Sequence, residues 1–209
     1  MLVGEWMTAS PATVDGSTPV MEAMQLLGGV HYRRLPVVED GSLVGIVTDR
    51  DLKEASPKVT TLSIYELNYL LSKLLVRDVV KGPPITVNAD DPVEWAALLM
   101  AENRVSGLPV LLAGELTGIL TITDLLRALV VALGLREGGT RVTVDLPDTP
   151  GTLARVAEAG PPSNIVSVAT GGVKPSRRRE LILRVVGEEA DAFVTRLRER
   201  GVDVVDIRR

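Results

Sequence analysis

Cysteine is absent from this chain, and histidine occurs once, at His31. The first absence excludes disulfides, thiolate nucleophiles and Cys-ligated zinc. The second leaves no histidine pair for a metal centre and makes a histidine-based triad implausible. Aromatic residues make up 3% of the 209 residues, with a single phenylalanine, so the core has to be built from Val, Leu, Ile and Ala. An excess of positive charge is also missing. The formal net charge is −4, whereas nucleic-acid binders are usually basic. The longest apolar run, near Leu125–Leu135, is interrupted by Arg127 and is too short to span a bilayer. The opening MLVGEWMTASPATV has no basic stretch followed by an apolar core. The expectation is a soluble cytoplasmic protein without a signal peptide.

What the chain does contain is a repeat. Residues 3–52 align with residues 76–125 at a constant offset of 73, without a gap and with 18 identities in 50 positions. The identities include Pro11/Pro84, Thr13/Thr86, Pro19/Pro92, Leu35-Pro36-Val37/Leu108-Pro109-Val110, and GIVTDRDL (45–52) against GILTITDL (118–125). Two copies of a unit this long read as a pseudo-symmetric pair, not as a solenoid. Such a pair places two equivalent clefts at its seam.

Each copy has the same local grammar. A short β-like segment (Ala12–Val14; Ile85–Val87) leads to a helix. Thr18 with Pro19, and Asp91 with Pro92 and Glu94, read as helix starts, the second with a capping box. Two strands follow, joined by tight turns at Asp40-Gly41 and Ala113-Gly114. A second helix opens at Asp49–Asp51 and at Thr123-Asp124. The predicted order is β-α-β-β-α, twice. Between the copies, Ser63-Ile64-Tyr65-Glu66 forms another capping box, and Leu67, Leu70, Leu71, Leu74 and Leu75 mark an apolar helical face. This insert extends the helix that closes the first copy. Its apolar face packs into the core or meets a second copy of the chain.

Charge shifts from a net of −6 over residues 1–138 to +2 over residues 139–209, at a Gly134…Gly138-Gly139 joint. Beyond it, RVTVDL, Ile165–Thr170, Glu180–Val186 and VDVVDIR read as strands. TLARVAEA reads as a short helix. So does Glu188–Arg200, with Ala190, Phe193, Val194 and Leu197 on one face and Gly201 as its stop. The order βαββαβ is that of a ferredoxin-like sandwich. Arg177-Arg178-Arg179 falls at the turn between strands two and three, as a solvated hairpin tip. The fold class is α/β (α+β). The expected domains are 1–73, 74–138 and 139–209.

Two candidate sites stand in register. In Gly45-Ile46-Val47-Thr48-Asp49-Arg50-Asp51 and in Gly118-Ile119-Leu120-Thr121-Ile122-Thr123-Asp124, a strand ends at a threonine and a helix begins. Free N–H groups at a helix start suit an anion. A threonine hydroxyl can donate to phosphate, and an aspartate can accept from vicinal ribose hydroxyls. Simple capping explains one copy equally well, but the motif occurs twice at equivalent positions. Arg33, Arg34, Arg50 and Arg104 lie near these clefts in an otherwise acidic region, and guanidinium matches phosphate geometry. His31, which aligns with Arg104, reads as a surface or cleft-edge residue. The copies differ at Arg50 against Thr123 and Arg33 against Ser106.

These motifs resemble a tandem pair of CBS domains (cystathionine-β-synthase-type modules) over residues 1–130. The resemblance implies adenosine ligands such as AMP, ADP, ATP or S-adenosylmethionine, with aspartate on the ribose, threonine on the phosphates and the base between apolar segments of both copies. Carried over, one site uses Ile119, Thr121, Thr123 and Asp124 with Ala12, Tyr32 and Arg33. The other uses Ile46, Thr48, Arg50 and Asp51 with Ile85, Val105 and Ser106. Residues 140–209 resemble an ACT domain, a small regulatory module, through Asp148-Thr149-Pro150-Gly151-Thr152-Leu153 and Asn164-Ile165-Val166-Ser167. That resemblance implies an amino-acid site at Asp148, Thr149, Gly151, Asn164 and Ile165, or dimerisation and interdomain coupling. The short helix followed by Pro161-Pro162 departs from the ACT pattern. The order of modules and the insert are similar to the acetoin-utilisation AcuB family, which implies a regulator connected with acetoin or central carbon use, not the enzyme that does the chemistry. A homodimer acting on an unknown partner protein is expected. No nucleophile–base pair, metal cluster or P-loop is visible, so neither catalysis nor a catalytic cofactor is expected. An assembly protein with empty clefts is the alternative to a nucleotide sensor.

Overall fold

The structure is a computed structural model that describes residues 1–29, 32–55, 64–187 and 190–209. His31, Ser63 and Glu188 therefore lie outside the described residues, as do the side chains of Leu67, Leu71 and Ala190. The first copy contains α1 (Val3–Trp6), β1 (Thr8–Ala9), β2 (Val14–Asp15), α2 (Val20–Gly29), β3 (Arg34–Glu39), β4 (Ser42–Thr48) and α3 (Asp49–Ala55). The insert supplies α4 (Ile64–Lys73). The second copy contains α5 (Val76–Val79), β5 (Val87–Asn88), α6 (Val93–Asn103), β6 (Gly107–Leu112), β7 (Glu115–Thr121) and α7 (Ile122–Ala132). There follow β8 (Thr140–Pro147), α8 (Thr152–Glu158), β9 (Asn164–Val173), β10 (Arg178–Val186), α9 (Ala190–Glu199) and β11 (Asp203–Arg208). Two compact units result, Met1–Leu125 and Leu126–Arg209. Among the described residues, no helix is long and apolar enough to cross a membrane.

In the first unit the two copies repeat one another down to their irregularities. β2 pairs parallel with β3 (Val14 opposite Val37), and β5 with β6 (Val87 opposite Val110). The hairpins β3–β4 and β6–β7 are bulged at equivalent points, between Val37 and Val38 and between Val110 and Leu111. The turns Asp40-Gly41 (φ 49° and 79°) and Ala113-Gly114 (φ 52° and 88°) have positive φ at both central residues. That conformation matches the twist of the flanking strands. Leu35 and Leu108, at the start of β3 and β6, are both fully buried.

The arm that opens each copy belongs to the other copy's body. β1 adds to the second copy's sheet, giving the order β1-β7-β6-β5, with Thr8 opposite Ile119 and Ala9 opposite Gly118. Val76, at the start of the second copy, is buried in the first copy's core with Val20, Leu35 and Leu52. Each strand makes room for the foreign arm with a glycine. A Cβ on Gly45 would lie 2.2 Å from Val80 Cγ1, and one on Gly118 would lie 2.2 Å from Met7 Sδ. Val80 and Met7 are themselves equivalent positions.

This exchange also corrects the expected helix starts. α2 begins at Val20, and Pro19 sits before it, bridged to Leu75. The Val20 N–H donates to the Leu74 carbonyl at 2.8 Å, so the arm does the capping expected of Thr18. α6 has Pro92 at its N-cap with no side-chain cap bond. The Val93 N–H donates to the Met1 carbonyl, and the Asp91 carboxylate accepts from the Asn88 N–H instead. Leu74, at the end of the insert, packs on the first core, and α4 packs against α2. On its outer side Tyr65 and Tyr69 are exposed.

The second unit is an antiparallel sheet of order β11-β8-β10-β9. In its own chain order this is the 4-1-3-2 arrangement of a ferredoxin-like sandwich. Alternation in β8 sends Val142, Val144 and Leu146 to the helix-covered face, where they meet Val156 of α8 and Phe193, Val194 and Leu197 of α9. The arginine run departs from the hairpin-tip expectation. Arg177 occupies the turn with φ 53°, but Arg178 and Arg179 already belong to β10. Arg178 Nε donates to Asp145 Oδ2 at 2.6 Å and its Nη2 to Asp203, while Arg179 Nε donates to Asp148 Oδ1 at 2.9 Å. The register places acidic residues of β8, β11 and the following turn within reach, so these cations are held on the sheet.

Candidate functional site

Both Thr-x-x-Asp motifs close the same latch. At the end of β4, the Asp51 carboxylate turns back so that Oδ2 accepts the Thr48 N–H (3.0 Å) and the Thr48 hydroxyl (2.5 Å). At the end of β7, Asp124 Oδ2 accepts the Thr121 N–H (2.9 Å) and hydroxyl (2.7 Å). Asp124 is buried. The second oxygen of Asp51, Oδ1, accepts from the Lys81 ammonium at 3.1 Å. Burial alone pushes the Asp51 carboxyl up. The hydrogen bonds from Thr48 and Lys81 outweigh that effect and hold it below the usual carboxylate value.

Each latch stands beside a cavity built from both copies. The first, of about 600 Å³, is lined by Ala12, Tyr32 and Arg33 of the first copy and by Ile119, Thr121 and Thr123 of the second. Asp124 stands behind its wall, tied to Thr121. The second, of about 500 Å³, is lined by Ile46, Thr48 and Asp51 of the first copy and by Ile85, Val105 and Ser106 of the second. Ala12 and Ile85 precede the short strands expected to contain them and line the cavities instead. Of the fourteen candidate residues, Arg50 and Asp124 do not line these two cavities. The Arg50 side chain is 85% exposed, donates to Glu54 Oε1 at 2.7 Å one helical turn on, and lines a neighbouring cavity of about 580 Å³ with Thr48, Arg34 and Ser106. The i,i+4 carboxylate competes for it.

Arg34, expected near the clefts, and Ser106, expected in the second site, line both cavities, and the Arg34 guanidinium donates to the Ser106 hydroxyl across the seam. Burial, and then the neighbouring charge of Arg33, hold Arg34 below the ordinary arginine value. Thr8 and Lys81 were not singled out by the motifs. Thr8 lines the first cavity, and Lys81, its equivalent 73 residues on, lines the second. The repeat arithmetic alone could have paired these two. Arg104 also lines the second cavity.

The ACT-type candidates do not gather into one locus within the chain. The Asp148 carboxylate is taken by Arg179, at the start of β10. The hydroxyls of Thr149 and Thr152 lie 3.2 Å apart, and Gly151 caps α8 with φ 83°. Asn164 and Ile165 instead pair with Val186 and Val185 at the far end of β10. At about 3.3 Å per residue, the length of β10 separates the two groups. Ile165 packs against the core. Among the described residues, no group of three or more His, Asp or Glu could hold a metal ion.

Comparison with known proteins agrees with both halves of this architecture. The CBS domain family matches residues 3–58 and 76–131, and the family described as TTHA0829-like ACT domain matches residues 138–208. A CBS domain-containing protein of Dictyostelium discoideum is 40% identical over 138 residues, 64% of this chain and 94% of its own length. An inosine-5′-monophosphate dehydrogenase of Thermoplasma acidophilum is 32% identical over 115 residues, but the match spans only 21% of that enzyme. Among solved structures, CBSX2 of Arabidopsis thaliana in complex with AMP aligns at 33% identity and a TM-score of 0.53, covering 62% of this chain and 97% of that one. The CBS pair of protein MJ0100, in complex with 5′-methylthioadenosine and S-adenosylmethionine, aligns at 27% identity and 0.51, covering 62% and 95%. A Vibrio cholerae protein assigned to acetoin utilisation (AcuB) aligns at 25% and 0.54, covering 66% and 96%. The chain belongs to the CBS-domain family, as a tandem CBS pair carried on one polypeptide with an ACT domain.

Proposed function

We propose that this chain is a regulatory protein, not a catalyst, and that each of its two cavities takes an adenosine-type ligand. One observation carries the reading: two equivalent cavities, each walled by both copies and each set beside a threonine–aspartate latch. In the first cavity Thr121, Thr123 and Arg33 face the phosphate and Ala12, Tyr32 and Ile119 border the base, while the buried Asp124 holds Thr121 in place for the ligand. In the second, Asp51 takes the ribose, Thr48 and Ser106 the polar end, and Ile46, Ile85 and Val105 the base. The AMP, methylthioadenosine and S-adenosylmethionine complexes of related CBS pairs support this ligand class. A ligand that touches both copies favours whichever arrangement of the copies it fits better, and by no more than its difference in affinity between arrangements. The likeness to a structure assigned to acetoin utilisation (AcuB) supports a link to acetoin or carbon metabolism, and the proposal extends to a homodimer that acts on a partner protein. Titration calorimetry of the full chain with AMP, ADP, ATP and S-adenosylmethionine tests the reading. Saturable binding of at least one is expected; no binding of any overturns it.

A further inference from the structure

The two cavities differ most sharply where one copy carries Thr8 and the other Lys81. Lys81 reaches across the second cavity to the carboxylate that the proposed function assigns to the ribose. Both Asp51 oxygens are then engaged, Oδ2 by Thr48 and Oδ1 by Lys81. The Lys81 side chain is 78% exposed and the Asp51 side chain 24% exposed, so the pair is held loosely at the cavity mouth. A ribose hydroxyl arriving at Oδ1 displaces the ammonium. An uncharged nucleoside leaves that ammonium without an anion, whereas a 5′-phosphate gives it one in a cavity that already presents Arg34 and Arg104. Thr8, at the equivalent position of the first cavity, carries no charge to be displaced.

From this geometry we infer that Lys81 is a specificity residue that makes the second cavity select phosphorylated adenosine ligands over uncharged ones. The inference rests on the nucleotide reading above. Its test uses the full chain with the first cavity filled by Ala12→Trp, titrated with AMP and with adenosine. Lys81→Thr, which copies the first cavity's residue, lowers the ratio of AMP to adenosine affinity about tenfold, and Lys81→Arg keeps it. As an independent check, Thr8→Lys in the otherwise unaltered chain raises the same ratio at the first cavity. AMP binding with an unchanged ratio in Lys81→Thr, or equal loss of both ligands, overturns the role of Lys81 and leaves the nucleotide reading intact. An unaltered chain that binds neither ligand overturns both.

Discussion

Arg34 lies against Gly107, the residue that holds its own place in the second copy. A Cβ on Gly107 would sit 2.7 Å from Arg34 Nη1 and 2.9 Å from its Cδ. The seam therefore accommodates one large cation because its symmetry mate has no side chain. From there Arg34 serves both cavities and holds Ser106.

Gly107→Ala should displace the guanidinium and break its bond to Ser106. Arg34 is long enough to yield, so the cost is expected near the low end of overpacking, about 1 kcal/mol. Urea unfolding of Gly107→Ala, Arg34→Ala and the double variant gives the coupling directly. A double variant no more stable than the sum of the singles would contradict the contact.

Gly45→Ala brings a methyl onto Val80, which has no long flexible chain to withdraw. A loss of about 1–3 kcal/mol is expected, with part of it recovered in Gly45→Ala/Val80→Ala. Equal stability of Gly45→Ala and the unaltered chain would show that the exchanged arm does not pass there.

Leu35 and Leu108 occupy equivalent, fully buried places. Truncation of either to Ala should cost about 2–5 kcal/mol. Similar losses measured by calorimetry would match the repeat; a nearly neutral Leu108→Ala would contradict its place in the core.

Acid should weaken the first unit partly through Asp51. Its carboxyl lies below its ordinary 3.8 in the folded chain, so the ionised form favours folding. That contribution is complete above about pH 5 and is lost as pH falls through the folded value. Asp51→Asn should show a shallower decline of stability with acid than the unaltered chain, in denaturant titrations at stepped pH. Parallel declines would contradict the latch.

In the second unit, Arg178→Ala should lower the unfolding midpoint, because it leaves Asp145 without its 2.6 Å partner. Arg177→Ala, in the turn, should leave the midpoint unchanged. Identical behaviour of the two would restore the hairpin-tip reading.

Local patterns were legible in the sequence. The paired turns, the β-α-β-β-α order of each copy, the strands of the second unit and the Thr-x-x-Asp motifs all express short-range periodicity or capping chemistry. What escaped is non-local. β1 spans two residues and exists only because β7 accepts it. Thr18 looked like a helix cap because the Leu74 carbonyl that replaces it lies far along the chain. Arg34 gains its position from an absence at Gly107, and Lys81 from a fold that brings it to Asp51. Arg50 lines a cavity beside Thr48 and also pairs with Glu54, one turn on.

The most direct test counts ligands. Ala12 and Ile85 are equivalent residues, one in each cavity, and tryptophan at either fills a cavity without replacing a latch residue. Titration calorimetry with AMP should give two equivalents per chain for the unaltered protein and one for each of Ala12→Trp and Ile85→Trp, with melting curves confirming that both variants fold. Two equivalents retained in a folded filled variant, or none in the unaltered chain, would contradict the account.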